Sequence, residues 1–271
     1  MTSLFSIKNK IIVISGATGV LGTAISTYLA QEEAVVIVLG RSKKKVEKLV
    51  DKIKTTGGQA FPAIADVTDE KQLTAVKTQL QKQFGKIDVL INAAGGNMPG
   101  AVIMPDQSID DCDTEALQKV MELNYMGTFL PTKILLPLFL DNKTGSIINI
   151  SSMAASRPLT RVMGYSSSKA AIDNLTQWLA VECAHKYGEG LRVNAIAPGF
   201  FLTEQNRNLL THTDGNLTQR GQQIIEHTPM GRFGDPNELL GAIQWLCSDA
   251  AKFVTGTIIP IDGGFNAFSG V

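Results

Sequence analysis

Tyr165 and Lys169 stand four residues apart, and Ser152 precedes the tyrosine by thirteen. Residues four apart share one face of a helix, so this spacing sets a phenol beside an ammonium group. A phenol titrates at about pH 10, too high for efficient proton transfer at neutrality, and a fixed cation favours its ionised form. A serine hydroxyl close by can donate to an oxygen on which charge develops. Together these groups suit acid–base work on a carbonyl or carbinol. A second candidate lies near the start of the chain, in Ser15-Gly16-Ala17-Thr18-Gly19-Val20-Leu21-Gly22. Glycines at such a turn let the backbone approach a pyrophosphate, whose charge is met by the following helix N-terminus.

The elements that must position these groups follow from the periodicity. Ile11–Ser15, Val35–Leu39, Gln59–Ile64, Ile87–Ile91, Ser146–Ile150, Arg192–Ile196 and Thr257–Ile261 are short, β-branched and apolar without alternation. That pattern fits strands of a parallel sheet covered on both faces. Helical patterns fall between them at Gly22–Gln31, Lys43–Lys54, Asp69–Phe84, Thr114–Leu136, Tyr165–Tyr187 and Pro236–Leu246. The expectation is an α/β chain: one Rossmann-type, doubly wound parallel sheet of seven strands with helices on both faces. Residues 8–95 would form its nucleotide-binding half and residues 96–271 its catalytic and substrate-binding half. Ligands of such sheets lie beyond the carboxyl ends of the strands, where the strand order reverses.

At that edge the end of the second strand reports on the cofactor. An acid there would accept from the 2′-hydroxyl of NAD, whereas an arginine suits the 2′-phosphate of NADP. No acid occurs between Ala34 and Val46, and the strand runs into Arg41-Ser42-Lys43-Lys44-Lys45. Arg41 offers a planar fork and Ser42 a hydroxyl, so NADP(H) is favoured over NAD(H). Asp66, followed by Val67, closes the third strand where an adenine amino group could be met. Asn92-Ala93-Ala94-Gly95 closes the fourth, with small residues where a cofactor would lie against backbone.

Composition removes other classes. The 271 residues carry 25 Lys and Arg against 25 Asp and Glu, which leaves no positive field for nucleic acid or anionic membrane. No apolar run is long enough to span a bilayer, and Met1–Ile12 lacks the apolar core of a secretory signal. Cys112, Cys183 and Cys247 are odd in number and widely spaced, so reduced thiols in a cytoplasmic protein are expected and no metal site is.

The chain resembles the short-chain dehydrogenase/reductase family along nearly its whole length. The resemblance is carried by Asn92-Ala93-Ala94-Gly95, Asn124, Ser152, Tyr165, Lys169, Pro198-Gly199-Phe200-Phe201-Leu202-Thr203 and Ile261-Asp262-Gly263-Gly264. It implies that Tyr165 is the acid/base and that Lys169 binds the nicotinamide ribose and lowers the tyrosine pKa. It further implies that Ser152 polarises the substrate carbonyl, that Asn124 keeps a water in the proton path, and that Thr203 with the preceding backbone meets the carboxamide. Two features depart from the family pattern. Gly16, Gly19 and Gly22 fall three apart, with Val20 where a glycine is usual. The segment from Gly95 to Asn124 is long and carries Asp106, Asp110, Asp111 and Asp113.

For the substrate, Asn97, Arg157, Arg161, Gln205 and Arg207 fall on the segments that would face it, with Ser152. Amides and guanidiniums suit a hydroxylated anion, because arginine holds a carboxylate by two parallel bonds. Arg220, His227 and Arg232 come later, Arg232 within a stretch that resembles a structural segment of many relatives. The loops around these residues resemble the D-mannonate oxidoreductase (fructuronate reductase) branch, which implies reduction of a keto-uronate to an aldonate. Open alternatives are a deoxy keto-uronate from alginate, a gluconate-type polyol, a 3-ketoacyl thioester, or a non-catalytic nucleotide sensor. The long apolar stretches Thr114–Leu136 and Tyr165–Tyr187 point to a homotetramer, the family's usual assembly.

Overall fold

Strands made almost wholly of Ile, Val, Leu and Ala can be stable only if both faces of their sheet are covered. The computed structural model, which describes residues 3–202 and 207–270, shows how this is met. Strands β1 (Ile11–Ser15), β2 (Val35–Gly40), β3 (Gln59–Ile64), β4 (Val89–Asn92), β5 (Gly145–Ile150), β6 (Leu191–Pro198) and β7 (Ile258–Ile261) form one sheet. Their order is β3-β2-β1-β4-β5-β6-β7, every pairing is parallel, and the order reverses between β1 and β4.

Helices α1 (Val20–Gln31), α2 (Lys43–Thr55), α3 (Glu70–Phe84), α4 (Thr114–Met121), α5 (Gly127–Leu135), α6 (Pro137–Leu140), α7 (Met163–Tyr187), α8 (Arg207–Leu210), α9 (Gln219–Glu226) and α10 (Leu240–Cys247) complete the chain. On one face Ile12 and Ile14 of β1 belong to a core shared with Ile25 and Leu29 of α1 and Ile243 and Leu246 of α10. On the other, Ile11 and Val13 belong to a core with Leu73 and Leu80 of α3, Leu130 of α5 and Leu179 of α7. Successive residues of β1 thus feed opposite cores, which is why its sequence does not alternate with polar residues.

The expected helix Thr114–Leu136 is interrupted. Between α4 and α5 the chain widens into one π turn, Glu122–Met126, with Asn124 fully buried on it. The Asn124 side-chain amide donates to Val120 O at 2.7 Å, the acceptor a regular helix would give to the Asn124 backbone N–H. The Pro236–Leu246 pattern likewise opens as a 3-10 turn, Pro236–Leu239, before α10. Strand β4 starts at Val89 rather than Ile87, whose N–H goes to Leu138 O outside the sheet. Helices α8 and α9 were not expected; they are short and bury few residues.

The acidic stretch before α4 is mostly spent on turn chemistry. Ser108 and Asp111 form a reciprocal cap, and Asp113 caps α4 by accepting from Glu115 N at 2.9 Å and Ala116 N at 3.2 Å. Asp110 accepts from the Ser108 hydroxyl, and Asp106 is exposed. All three cysteines are free, and burial pushes the Cys183 and Cys247 thiols up to about 11 and about 12. Among the described residues no helix is long and apolar enough to cross a membrane, and no cluster of three metal-ligating side chains occurs.

Candidate active site

The nucleotide turn is closed by contacts that only glycine permits. Gly16 has φ +63, and a Cβ there would lie 2.6 Å from Ala94 N and 2.7 Å from the Ala93 carbonyl. A Cβ at Gly22 would lie 2.3 Å from Gly16 O, so α1 begins pressed against the turn. Gly19 is the N-cap of α1 and no side chain caps it, which leaves the first N–H groups of the helix open to an anion. Val20 and Leu21 are its first two residues and partly exposed, while Thr18 lies near Gly40 at the end of β2. The Ser15 hydroxyl accepts from Ala93 N and Ala94 N at 3.2 and 3.4 Å and ties this turn to the end of β4. The cradle therefore fits a dinucleotide pyrophosphate.

Arg41 is 80% exposed, and its guanidinium stands 3.9 Å from Asp66 Oδ2. Ser42 caps α2, its oxygen accepting from Lys45 N at 3.5 Å, which leaves the hydroxyl proton free to donate. Asp66 Oδ1 accepts from Thr68 N and the Thr68 hydroxyl at 3.0 and 2.7 Å, and Val67 is buried near Gly127. Ala93, Ala94 and Gly95 follow β4, with the backbone of Ala93 and Ala94 against Gly16. The Asn92 side chain is instead buried in a scaffold network. Its amide donates to Thr132 and Asn149 at 2.9 Å each, and Asn149 donates to Thr176 at 2.9 Å. Asn149 and Thr176 were not anticipated, because nothing in their spacing announces a contact across four elements.

The reacting groups converge at the ends of β5 and α7. Ser152 follows β5 and caps a short turn, its oxygen accepting from Ala154 N at 3.1 Å. Its hydroxyl lies near enough to Tyr165, on the first turn of α7, to favour the ionised phenol. Lys169, one turn on and 4% exposed, donates to Ile150 O at 2.7 Å, and its ammonium is 5.5 Å from the Tyr165 ring centre. Burial lowers the Lys169 pKa to about 8, opposed by Asp173 one turn further. The Tyr165 phenol does not show the lowering that the lysine neighbour implies. Burial raises it, and the nearby Ser152 hydroxyl only partly offsets this.

Asn124 reaches this centre from the π turn. Its oxygen accepts from Gly96 N at 3.1 Å and its amide donates to Gly96 O at 2.7 Å. A Cβ at Gly95 would lie 2.7 Å from Asn124 Oδ1 and 3.3 Å from Lys169 Nζ, so small size is required here too. Ser152, Tyr165, Leu159, Pro198, Gly199, Phe200 and Leu21 line one cleft of ≈ 240 Å³, which joins the nucleotide turn to the reacting groups. A larger cavity of ≈ 330 Å³ lies on the far side of Phe200 and Phe201, lined by Thr228, Met230 and Asp262, and holds none of the reacting groups.

Residues 16–266 match a family model described as enoyl-(acyl carrier protein) reductase. The chain is a short-chain dehydrogenase/reductase. It is 43% identical over 275 residues to the uncharacterized oxidoreductase UxuB of Bacillus subtilis (strain 168), covering 98% of each chain. It is 33% identical over 258 residues to the 7alpha-hydroxysteroid dehydrogenase of Escherichia coli (strain K12), covering 95% of this chain and 94% of that one. Among solved structures it is similar to one from Haemophilus influenza, provisionally described as a D-mannonate oxidoreductase and holding NAD. The two share 41% identity at a TM-score of 0.92, with 98% of each covered. It is also similar to a gluconate 5-dehydrogenase from Burkholderia cenocepacia J2315 in complex with NADP and tartrate, at 27% identity and a TM-score of 0.86, again with 98% of each covered. The short-chain dehydrogenase/reductase described here is therefore an oxidoreductase of alcohol and carbonyl groups that uses a nicotinamide cofactor.

The remaining residues expected to face the substrate are dispersed. Asn97 is exposed and its oxygen accepts from Met98 N at 3.0 Å. Arg157 is tied to the C-terminal segment, donating to Asn266 O at 2.7 Å and to Asn266 Oδ1 at 3.2 Å. Arg207 is exposed at the start of α8. Thr203 and Gln205 lie outside the described residues. Arg232 forks onto Glu238 at 2.6 and 2.8 Å, holding that carboxyl at about 2. Its structural reading from sequence is the one the contacts support.

Proposed function

We propose that this reductase converts the ketone of a sugar acid to an alcohol, a keto-uronate such as fructuronate to an aldonate such as mannonate. NADP(H) is the preferred cofactor over NAD(H). The observation that carries the reading is the cleft from Leu21 to Tyr165, with Ser152, Tyr165 and Lys169 converging at one end. The turn at Gly16–Gly22, with Arg41, Ser42, Asp66, Val67 and Ala93–Gly95, would hold the dinucleotide, and Pro198, Gly199 and Thr203 its nicotinamide end. When bound, the nicotinamide supplies the hydride.

The chain's own groups manage the proton and the charge. Tyr165, kept protonated by its burial, gives its proton to the carbonyl oxygen as that oxygen gains negative charge. Ser152 donates to the same oxygen, an effect worth about 2–4 kcal/mol in comparable sites. Lys169 fixes the ribose and places positive charge beside the phenolate that remains. Asn124 braces Gly96 and the segment that follows β4. A protonated phenol suits the reductive direction, in which it is the acid.

Arg41 supports the cofactor preference, being exposed, paired among the described residues only with Asp66 at 3.9 Å, and free of any acid on its own strand end. The Haemophilus relative holds NAD, so a preference for NADP(H) would set this chain apart from it. A homotetramer is proposed on Trp178 and Val181, which leave 57% and 58% of their surfaces exposed on α7. A cytoplasmic location is proposed on the three free thiols.

The test is initial rates of NADPH and NADH oxidation with D-fructuronate, run beside the 4-deoxy keto-uronate of alginate lysis. Turnover of fructuronate with NADPH preferred is expected, and Arg41→Ala should raise the KM for NADPH about 10-fold or more while sparing NADH. Activity on the deoxy compound alone would move the substrate, and silence on both would remove the sugar-acid reading.

A further inference from the structure

Five of the seven arginines are accounted for by their surroundings. Arg232 has Glu238, Arg41 has Asp66, and Arg157 has Asn266. Arg192 donates to the carbonyls of Leu246 and Ser248, and Arg207 extends into solvent. Arg161 and Arg220 differ. Both are half-buried, neither forms an ion pair among the described residues, and they stand close enough to repel one another. Burial first, and then the Arg161 charge, holds the Arg220 guanidinium below its usual range.

Their place in the fold is defined on three sides. Arg220, on the first turn of α9, donates to the Thr160 hydroxyl at 3.3 Å. Thr160 adjoins Leu159, which lines the reacting cleft with Ser152 and Tyr165. Arg161 lies four residues before Tyr165 in a left-handed backbone conformation, φ +75, that bulky residues rarely adopt. Its carbonyl accepts from Ile103 N at 3.0 Å. The long segment after β4 thus meets Arg161 at its strained backbone. Two like charges brought together at the edge of a cleft, one in a strained backbone, make a site for an anion that neither side chain has found among the described residues.

We propose that Arg161 and Arg220 form a two-arginine fork for the carboxylate of the substrate, and that Arg220 selects an acid over the neutral sugar of the same carbon skeleton. The inference rests on the reductase reading above and assigns the anion-recognising part of that same site. A carboxylate is bound by both guanidiniums at once, with the carbonyl to be reduced lying inward on Ser152 and Tyr165. Arg157 stays with Asn266 and takes no part.

The experiment compares D-fructuronate with D-fructose at saturating NADPH in wild type, Arg161→Gln, Arg220→Gln and Arg220→Lys. The acid-over-neutral ratio of kcat/KM should fall about 30-fold in each Gln variant, chiefly through KM for the acid, with partial recovery in Arg220→Lys. An unchanged nucleotide affinity shows that the variants are folded. A ratio unmoved in Arg220→Gln overturns the fork while leaving the reductase reading intact. If wild type reduces neither compound, that reading fails and calorimetry decides the fork separately, with D-mannonate and D-mannitol titrated into the NADP-saturated enzyme. Tighter binding of mannonate, lost in Arg220→Gln, supports the fork. Equal binding of the two overturns it.

Discussion

At the end of β1 the working surface is backbone, while at the end of β5 it is side chains held by backbone. The nucleotide turn contributes open N–H groups of α1 and a cradle shaped by Gly16, Gly19 and Gly22. The reacting centre contributes a phenol and an ammonium from α7 and a hydroxyl from the turn after β5. A surface made of backbone tolerates no added atom, because its shape is the function. A surface made of side chains tolerates changes of chemistry without loss of shape. The two ends should therefore fail in opposite ways when altered: one through geometry and stability, the other through chemistry alone.

The largest effect is expected where chemistry is removed and shape kept. Tyr165→Phe deletes one oxygen from a partly buried side chain whose ring stays packed beside Lys169. Turnover should fall by about 10³-fold, within the usual range for a lost general acid. Nucleotide affinity and melting temperature should stay close to wild type. Pre-steady-state rates with separate fluorescence titration of NADPH would check both halves. A variant that kept near-wild-type turnover would remove Tyr165 from the mechanism.

Next comes a contrast in charge burial. Lys169 is protonated below a folded pKa of about 8, against 10.5 for the ordinary group. Between those values the unfolded chain binds more protons than the folded one, so this residue makes stability rise with pH across that window. Below pH 8 both forms are protonated and its burial penalty is fully present. The rise should amount to about 3 kcal/mol by pH 10.5. Cys183 and Cys247, whose thiols are raised by burial, act in the opposite sense over an overlapping range. The informative quantity is therefore the difference in urea-unfolding free energy between wild type and Lys169→Met at pH 7.5 and at pH 10.5. A difference that does not change with pH would place the lysine in a more solvated setting than its contact with Ile150 O indicates.

The same division explains which features the sequence alone discloses. All seven strands and the turn Gly16–Gly22 were legible, because buried parallel strands and glycine-dependent approaches leave a mark in the local sequence. Ser152, Tyr165 and Lys169 were legible because two of them lie one helical turn apart and the third ends a strand. The helix from Thr114 was legible as apolar, yet its break was not, since the wide turn at Glu122–Met126 leaves no periodic trace. Arg220 stands out in the sequence as a later cation, but nothing local joins it to the substrate set, for a related reason. Its neighbours Thr160 and Arg161 are about sixty residues away in sequence, and only the packing of α9 on the loop before α7 brings them together. The role of Asn92 was read from its place at a strand end, whereas the buried amide network that holds it depends on Thr132 and Asn149.

The smallest effect should be at the nucleotide end, and it separates shape from chemistry most cleanly. Gly22→Ala adds one methyl group, changes no charge and removes no donor. The added carbon would lie 2.3 Å from Gly16 O and 2.8 Å from Ala17 Cα, both backbone atoms that cannot swing away. Helix α1 must move off the turn, and its open N–H groups move with it. We expect a loss of about 2 kcal/mol in stability, or roughly 5 °C in melting temperature. Weaker NADPH binding should accompany it, while kcat at saturating cofactor should stay within about threefold, because Ser152 stands on the turn after β5 and Tyr165 and Lys169 on α7. Calorimetric melting with NADPH titration would measure both. A fall in kcat as large as that of Tyr165→Phe would mean that the two ends are rigidly coupled through the Ser15 bonds to Ala93 and Ala94, and the division between backbone and side-chain surfaces would have to be given up.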